Sequence, residues 1–120
     1  MNINELAAAA HLNAVSKGFY SPPSEFGTRI ALIHSEVSEA LEAHRNGNRA
    51  KSDTYEGGDD DYFKTHYEAN IKGSVEEEMA DIVIRVMDMS ASMQIDLESH
   101  IIAKMRYNSM RPHKHGGKAY

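Results

Sequence analysis

The sequence predicts an all-α protein of four to five helices, in which self-association completes the core. Three observations carry that prediction. Apolar residues recur at helical spacing from Phe26 to Arg45 and again from Val75 to Met93. Helix stops and starts punctuate the chain at Gly18, at Asn46-Gly47-Asn48, at Ser74 with Glu77, and at Asp96. The length of 120 residues fits one domain, residues 1–120.

Residues 2–17 read as the first helix. Asn2 or Asn4 caps it, and Glu5 suits its first turn. Leu6, Ala9, Ala10, Leu12 and Val15 form a modest apolar stripe, and Gly18 ends the helix. Phe19-Tyr20-Ser21-Pro22-Pro23 is a stiff connector whose aromatic pair either packs in the core or lines a pocket for a nucleobase.

Ser24 is placed to cap the second helix, which runs to about Arg45. Phe26, Ile30, Ile33, Val37 and Leu41 form its expected buried stripe. At about 100° per residue, Glu36 and Glu39 fall within or beside that apolar face. An unpaired charge there is costly, so something must compensate it, either a metal or Arg29.

The stretch 46–73 is polar and turn-rich and reads as a long loop, with a short helical piece from Tyr62 to Asn70. Asp59-Asp60-Asp61 is either a cation site or a solvated run. Tyr55, Tyr62, Phe63 and Tyr67 suggest that part of this loop docks as a lid.

Ser74 and Glu77 make a capping box for a third helix, Val75 to Met93. Its apolar face is Val75, Met79, Ile82, Val83, Val86, Met89 and Met93, with Glu78 and Asp81 at the edge of that arc. Arg85 and Asp88 share the edge, and Arg85 has the spacing to pair with Asp81. Asp96 caps a fourth helix, Leu97 to about Met110, along which Lys104, Asn108 and Arg111 recur on one stripe. Those cations either stabilise the helix dipole or clamp a phosphate. Pro112 ends the helix, and His113–Lys118 is a short basic tail in which His113 and His115 have no recognisable metal spacing.

The bulk composition excludes several classes. A net charge of −5 argues against a polymeric nucleic-acid partner held by general electrostatics. The chain has no Cys, hence no disulfide frame and no thiolate chemistry. Its first residues lack the basic start and apolar core of a signal peptide, and no stretch approaches the ~20 apolar residues of a membrane span. These features lead to the expectation of a soluble, cytoplasmic protein with no membrane partner.

The chemistry concentrates in two acidic signatures, Glu36-Val37-Ser38-Glu39 and Glu78-Met79-Ala80-Asp81. Each sets two carboxylates three residues apart on one helix face. Four carboxylates converging from two helices make a hard, oxygen-rich site suited to Mg²⁺ or Mn²⁺.

Glu-x-x-Glu on one helix, Glu-x-x-Asp on the next and Lys-x-x-x-Asn-x-x-Arg on a third resemble the all-α nucleoside triphosphate pyrophosphatases of the MazG-like superfamily. The match spans roughly Leu6 to Arg111. The resemblance implies a helical bundle completed as a homodimer or homotetramer. It also implies cleavage of a nucleoside triphosphate to the monophosphate and pyrophosphate. By position, Glu36, Glu39, Glu78 and Asp81 become Mg²⁺ ligands, and Lys104, Asn108 and Arg111 become contacts to the phosphates or the nucleotide. The first helix and the connector carrying Phe19, with Arg29 nearby, help to form the substrate pocket.

Lys104 then acts catalytically, stabilising charge on the leaving pyrophosphate, and Glu36 or Glu39 is the carboxylate nearest the attacking water. The chain departs from the family in two ways. Residues 40–77, between the two acidic motifs, make a longer linker than usual. Ser35 stands where some members carry a Glu implicated as base.

Two rivals remain beside this reading. A phosphoribosyl-ATP pyrophosphatase would share the metal site and differ in the substrate pocket. A non-enzymatic helical interaction module would use the acidic pairs as rims and the apolar stripes as seams. A di-iron carboxylate bundle is disfavoured, because none of the seven His has Glu three residues before it.

Overall fold

In the computed structural model, residues 1–52 and 57–120 are described, with the side chain of His115 left out. Their regular structure is entirely helical: α1 (Ile3–Ser16), α2 (Phe26–Arg45), α3 (Asp60–Asn70), α4 (Val75–Ser92), α5 (Leu97–Ser109) and a final turn, Lys114–Gly117. The all-α class is therefore as the sequence predicts. No helix among the described residues is long and apolar enough to cross a membrane.

The helix ends follow their sequence signals closely. Asn2 caps α1 by accepting from the Glu5 amide. Gly18, at φ 85°, then closes α1, with the Phe19 amide bonded to the Ala14 carbonyl and the Gly18 amide to that of Val15. Only a residue tolerant of positive φ can make that closure, and it fixes where Phe19 leaves the helix. Gly47, at φ 69°, closes α2 in the same way, with the Asn48 amide bonded to the Ala43 carbonyl. Asp96 caps α5 by accepting from the Ser99 amide.

Two of the expected caps differ, and one helix starts earlier than expected. The N-cap of α2 is Glu25 rather than Ser24, and no side chain bonds there. Ser74 does accept from the Glu77 amide, but Glu77 reaches back to the amide of Gly73 instead of that of Ser74. α3 starts two residues before Tyr62, because Asp59 accepts from the Tyr62 amide and Asp60 and Asp61 favour the first-turn dipole. The Asp59–Asp61 run is thus accounted for as a helix start.

α4 is the central helix and packs against both α1 and α2, while α5 leans on α1. The α1–α5 join is polar. Asn4 donates to Asp96 and accepts from the Glu98 amide, and Glu98 accepts from the Ile3 amide. The segment after α2 is tied down by Lys51 N–H to the Asn70 carbonyl and by Val75 N–H to the Asn48 carbonyl. The Tyr67 hydroxyl joins α3 to α4 through Glu77 at 2.5 Å. Tyr55, expected to help in docking, lies outside the described residues.

The buried stripes differ from those expected. In α1 it is Ala7 that is buried, with Ala10 and Ala14 beside it, while Leu12 and Val15 face outward. Small side chains let the α1 and α4 backbones approach closely. In α2 the inward face is Arg29, Ile33, Glu36, Ala40 and Ala43, whereas Phe26, Val37 and Leu41 are about half exposed or more. In α4 Met87, Met89 and Ser90 are buried, and Met79 and Val83 are exposed. The two stripes read as core are therefore partly open, and the edge that carries Glu78 and Asp81 meets α2. The radius of gyration is 17.0 Å. A compact chain of this length has about 14 Å.

Candidate functional site

The site begins with helix register. Glu36 occurs at the i+7 position from Arg29 on the inward face of α2, so packing against α4 buries it to 8 % exposure. Glu78, Asp81, Arg85 and Asp88 follow one another at intervals of three and four along α4 and share one face. Where the two helices meet, one carboxylate oxygen each from Glu36, Glu78 and Asp81 lies within 4.8 Å of the others. Glu39, one turn along α2, is exposed, and its charge acts on Glu78. Three of the four expected ligands thus come together, with the fourth at the rim.

These charges are poorly compensated. Burial and the negative charges of Glu39 and Asp81 push the Glu78 carboxyl up to about 7. Its Oε2 is buried and accepts no hydrogen bond among the described residues. Burial, then the charges of Glu36 and Glu77, raises Asp81. The hydrogen bond and charge of Glu36 raise Glu39. For Glu36 burial pulls upward, but the bond from Arg85, helped by Glu39 and Glu78, wins and holds it below the ordinary range.

The compensating cation is not the one expected. Arg85 donates through Nε to Glu36 Oε1 at 2.7 Å, across the helix interface, rather than pairing with Asp81 along α4. Arg29 does not reach the glutamates. Its guanidinium lies 3.7 Å from the centroid of the Tyr20 ring, 3.8 Å from Asp88 Oδ2, and donates weakly to the Phe19 carbonyl at 3.5 Å. Asp88 Oδ1 also accepts from the Tyr20 hydroxyl and meets His11 Nδ1, each at 2.9 Å. The His11 ring stands edge-on to Tyr20 at 4.7 Å. This second cluster was not legible in the sequence as a unit. Its one signal is Asp88 recurring seven residues after Asp81 on the same helix face.

A pocket of about 400 Å³ joins the two clusters. Glu36, Asp81 and Arg85 line one end, and Asn13, Phe19, Arg29 and Asp88 the other. Phe19 is 69 % exposed, so its ring belongs to the pocket wall rather than to the core. Tyr20 takes the packed alternative, and burial leads the causes that raise its hydroxyl. A larger hollow of about 840 Å³ lies under α3, lined by Arg49, Lys51, Tyr67, Glu76 and Glu77 among others. Its charges are largely spent on fold contacts, since Arg49 and the Ala50 amide bind Glu76, and Tyr67 binds Glu77.

Lys104 and Asn108 are exposed on α5, and Arg111 is partly covered. The Lys104 ammonium and the Arg111 guanidinium flank the Tyr107 ring, 4.9 and 5.7 Å from its centroid. Lys104 and Arg111 come together on Tyr107, with Arg111 two residues beyond the end of α5. None of the bonds among the described residues joins them to the acidic group.

The donor set fits a hard divalent cation. All three meeting groups offer oxygen, and Glu78 also carries a buried oxygen, Oε2, with no hydrogen-bond partner among the described residues. Two oxygens on opposite sides of such a cation, at bonds of about 2.0–2.6 Å, lie roughly 4–5 Å apart. Comparison of the chain with protein-family models, with curated proteins and with solved structures finds no match in any of the three.

Proposed function

We propose that the protein is a Mg²⁺-dependent nucleoside triphosphate pyrophosphohydrolase, converting a nucleoside triphosphate and water to the monophosphate and pyrophosphate. The observation that carries the reading is the meeting of Glu36, Glu78 and Asp81 oxygens, with a buried Glu78 oxygen that has no partner among the described residues, beside a pocket that Glu36, Asp81 and Phe19 line. It agrees with the resemblance of the ordered acidic and basic signatures to the MazG-like pyrophosphatases.

In this reading Glu36, Glu78 and Asp81 hold the cation, Mg²⁺ or Mn²⁺, with Glu39 completing the set from the rim. A bound divalent cation offsets the carboxylate charge that would repel a triphosphate, and lowers the pKa of water beside it. The protein's own residues do the rest. Phe19 offers a ring face to the base, and Arg29, locked by Tyr20 and Asp88, fixes the wall behind it. Glu39 is exposed, raised and next to Glu36, which suits it to take a proton from the attacking water. Lys104, Asn108 and Arg111 contribute cations and an amide for the phosphates and the departing pyrophosphate. The reaction serves nucleotide pool control or house-cleaning.

The reading also includes self-association as a homodimer or homotetramer. The exposed Phe26, Val37, Leu41, Met79 and Val83 and the large radius of gyration support it.

The test is a panel of canonical and modified nucleoside triphosphates incubated with protein and Mg²⁺, with products resolved. Monophosphate plus pyrophosphate is the expected outcome. Diphosphate plus phosphate, no turnover, or equal activity in Asp81→Ala overturns the reading.

A further inference from the structure

Two guanidiniums line the pocket between the acidic group and Phe19, and they are held very differently. The Arg29 side chain is only 13 % exposed and is fixed by the Tyr20 ring, the Phe19 carbonyl and Asp88. The Arg85 side chain is 41 % exposed and makes one bond, from Nε to Glu36 Oε1. Its two terminal nitrogens have no partner among the described residues. Arg85 therefore neutralises a carboxylate that the proposed cation also needs, and does so through one nitrogen of its guanidinium.

We infer that Arg85 is an exchangeable counter-ion: it neutralises Glu36 while the site holds no cation, and it passes to the substrate's phosphate oxygens once a divalent cation takes Glu36. The inference rests on the pyrophosphohydrolase reading and deepens it by assigning a substrate contact inside the α2–α4 site, distinct from Lys104 and Asn108 on α5 and Arg111 just after it. The electrostatics are direct. Glu36 is almost buried, and a lone buried carboxylate is costly, so the empty site needs a cation beside it. A guanidinium and a divalent cation on one carboxylate repel each other. When the cation displaces Arg85, the freed guanidinium needs an anion, and a planar fork with unused donors matches a phosphate's paired oxygens. Arg85 lies on the same pocket wall as Asp81, between the acidic end and Asp88, which is where a phosphate chain bound to the cation would run.

The experiment uses the full chain with Arg85→Gln and Arg85→Lys, and has a readout that needs no turnover. Titration with Mg²⁺ alone, followed by calorimetry and thermal melting, is expected to show tighter Mg²⁺ binding in Arg85→Gln than in the parent, because the competitor is gone. With nucleoside triphosphate and Mg²⁺ the same variant is expected to lose about 10- to 100-fold in kcat/KM, the range of a bond to a charged group. Arg85→Lys keeps the charge, so its metal-free melt should match the parent's while kcat/KM is only partly restored. Opposite movement of metal affinity and turnover is the signature.

If Arg85→Gln weakens Mg²⁺ binding and turnover together, Arg85 merely supports the fold and the inference fails. If Arg85→Gln keeps the parent's kcat/KM, Arg85 does not contact substrate and the inference fails while the pyrophosphohydrolase reading stands. If the parent itself consumes no nucleoside triphosphate, the functional reading falls and the phosphate half of the inference falls with it.

Discussion

Two polar clusters lie on the same face of α4, two turns apart, and they solve the problem of buried charge in opposite ways. Asp88 accepts from Tyr20, meets His11 and faces Arg29, so its carboxylate is surrounded by partners. Glu78 and Asp81 have neighbours of their own sign, and Glu78 keeps a buried oxygen with no bond. A satisfied cluster stabilises and orients. An unsatisfied one costs stability unless something binds it, which makes it the candidate for a site.

The largest effect that tests this contrast is on turnover. Asp81→Ala removes a carboxylate from the meeting point and is expected to lower kcat/KM by at least about 100-fold, since even residues behind metal ligands cost 10- to 100-fold. The same variant should melt no lower than the parent without Mg²⁺, because it relieves like-charge repulsion. A large drop in its metal-free midpoint would place Asp81 with the scaffold.

Asp88→Ala should do the reverse. It leaves Arg29, Tyr20 and His11 without their shared acceptor, at a cost of roughly 1–3 kcal/mol for groups left unpaired. Denaturant unfolding should show that loss, while Mg²⁺ still raises the melting midpoint. Equal stability of Asp88→Ala and parent would dissolve the distinction between the two clusters.

Much of the fold was legible because caps and periodicity are local. Gly18, Gly47, Asp96 and the Ser74 start all act within a few residues of themselves. The acidic signatures were legible for the same reason: three residues on a helix fix a face. What the sequence hid depends on helix rotation and on pairing across space. A wheel drawn on apolar residues put Val37 and Leu41 inward, yet α2 turns Glu36, Ala40 and Ala43 to α4, because small residues permit close approach and Arg85 compensates the glutamate. Arg85 has two carboxylates within helical or interhelical reach, and spacing alone favoured Asp81. The His11–Tyr20–Asp88 contacts join positions 68 and 77 residues apart, a separation no local rule spans.

A smaller effect concerns pH. Glu78 binds its proton more tightly in the folded chain than in the unfolded one, with its carboxyl near 7 against an ordinary 4.5. Above 4.5 the unfolded chain has released that proton while the folded chain still holds it, so stability falls as pH rises from about 5 to 8. Asp81 and Glu39 are shifted in the same direction. Glu36, Glu76 and Asp96 are shifted downward, and their contribution is lost only at lower pH, so they do not mask the trend. Melting in chelator between pH 5 and 8 should therefore show a falling midpoint, flattened in Glu78→Gln and reversed by Mg²⁺. A flat parent profile would mean that the acidic face is already compensated.

The smallest expected effect falls at the end of the pocket away from the acidic group, at Phe19. Phe19 projects from the closure of α1, held by the Gly18 turn and 69 % exposed, so replacing it should leave stability within a few tenths of a kcal/mol. In the proposed function its ring face stacks on the base, a contact worth about 1–3 kcal/mol per base in proteins that stack bases, and the lower end suits an open wall. Phe19→Ala is then expected to raise KM roughly fivefold at unchanged kcat, because the ring holds base equally in the bound and transition states. Phe19→Tyr keeps the face and should keep KM. A fall in kcat instead would mean that the ring positions the phosphates against Asp81. The satisfied cluster around Arg29, which carries the Phe19 carbonyl, would then belong to the catalytic geometry and not only to the scaffold.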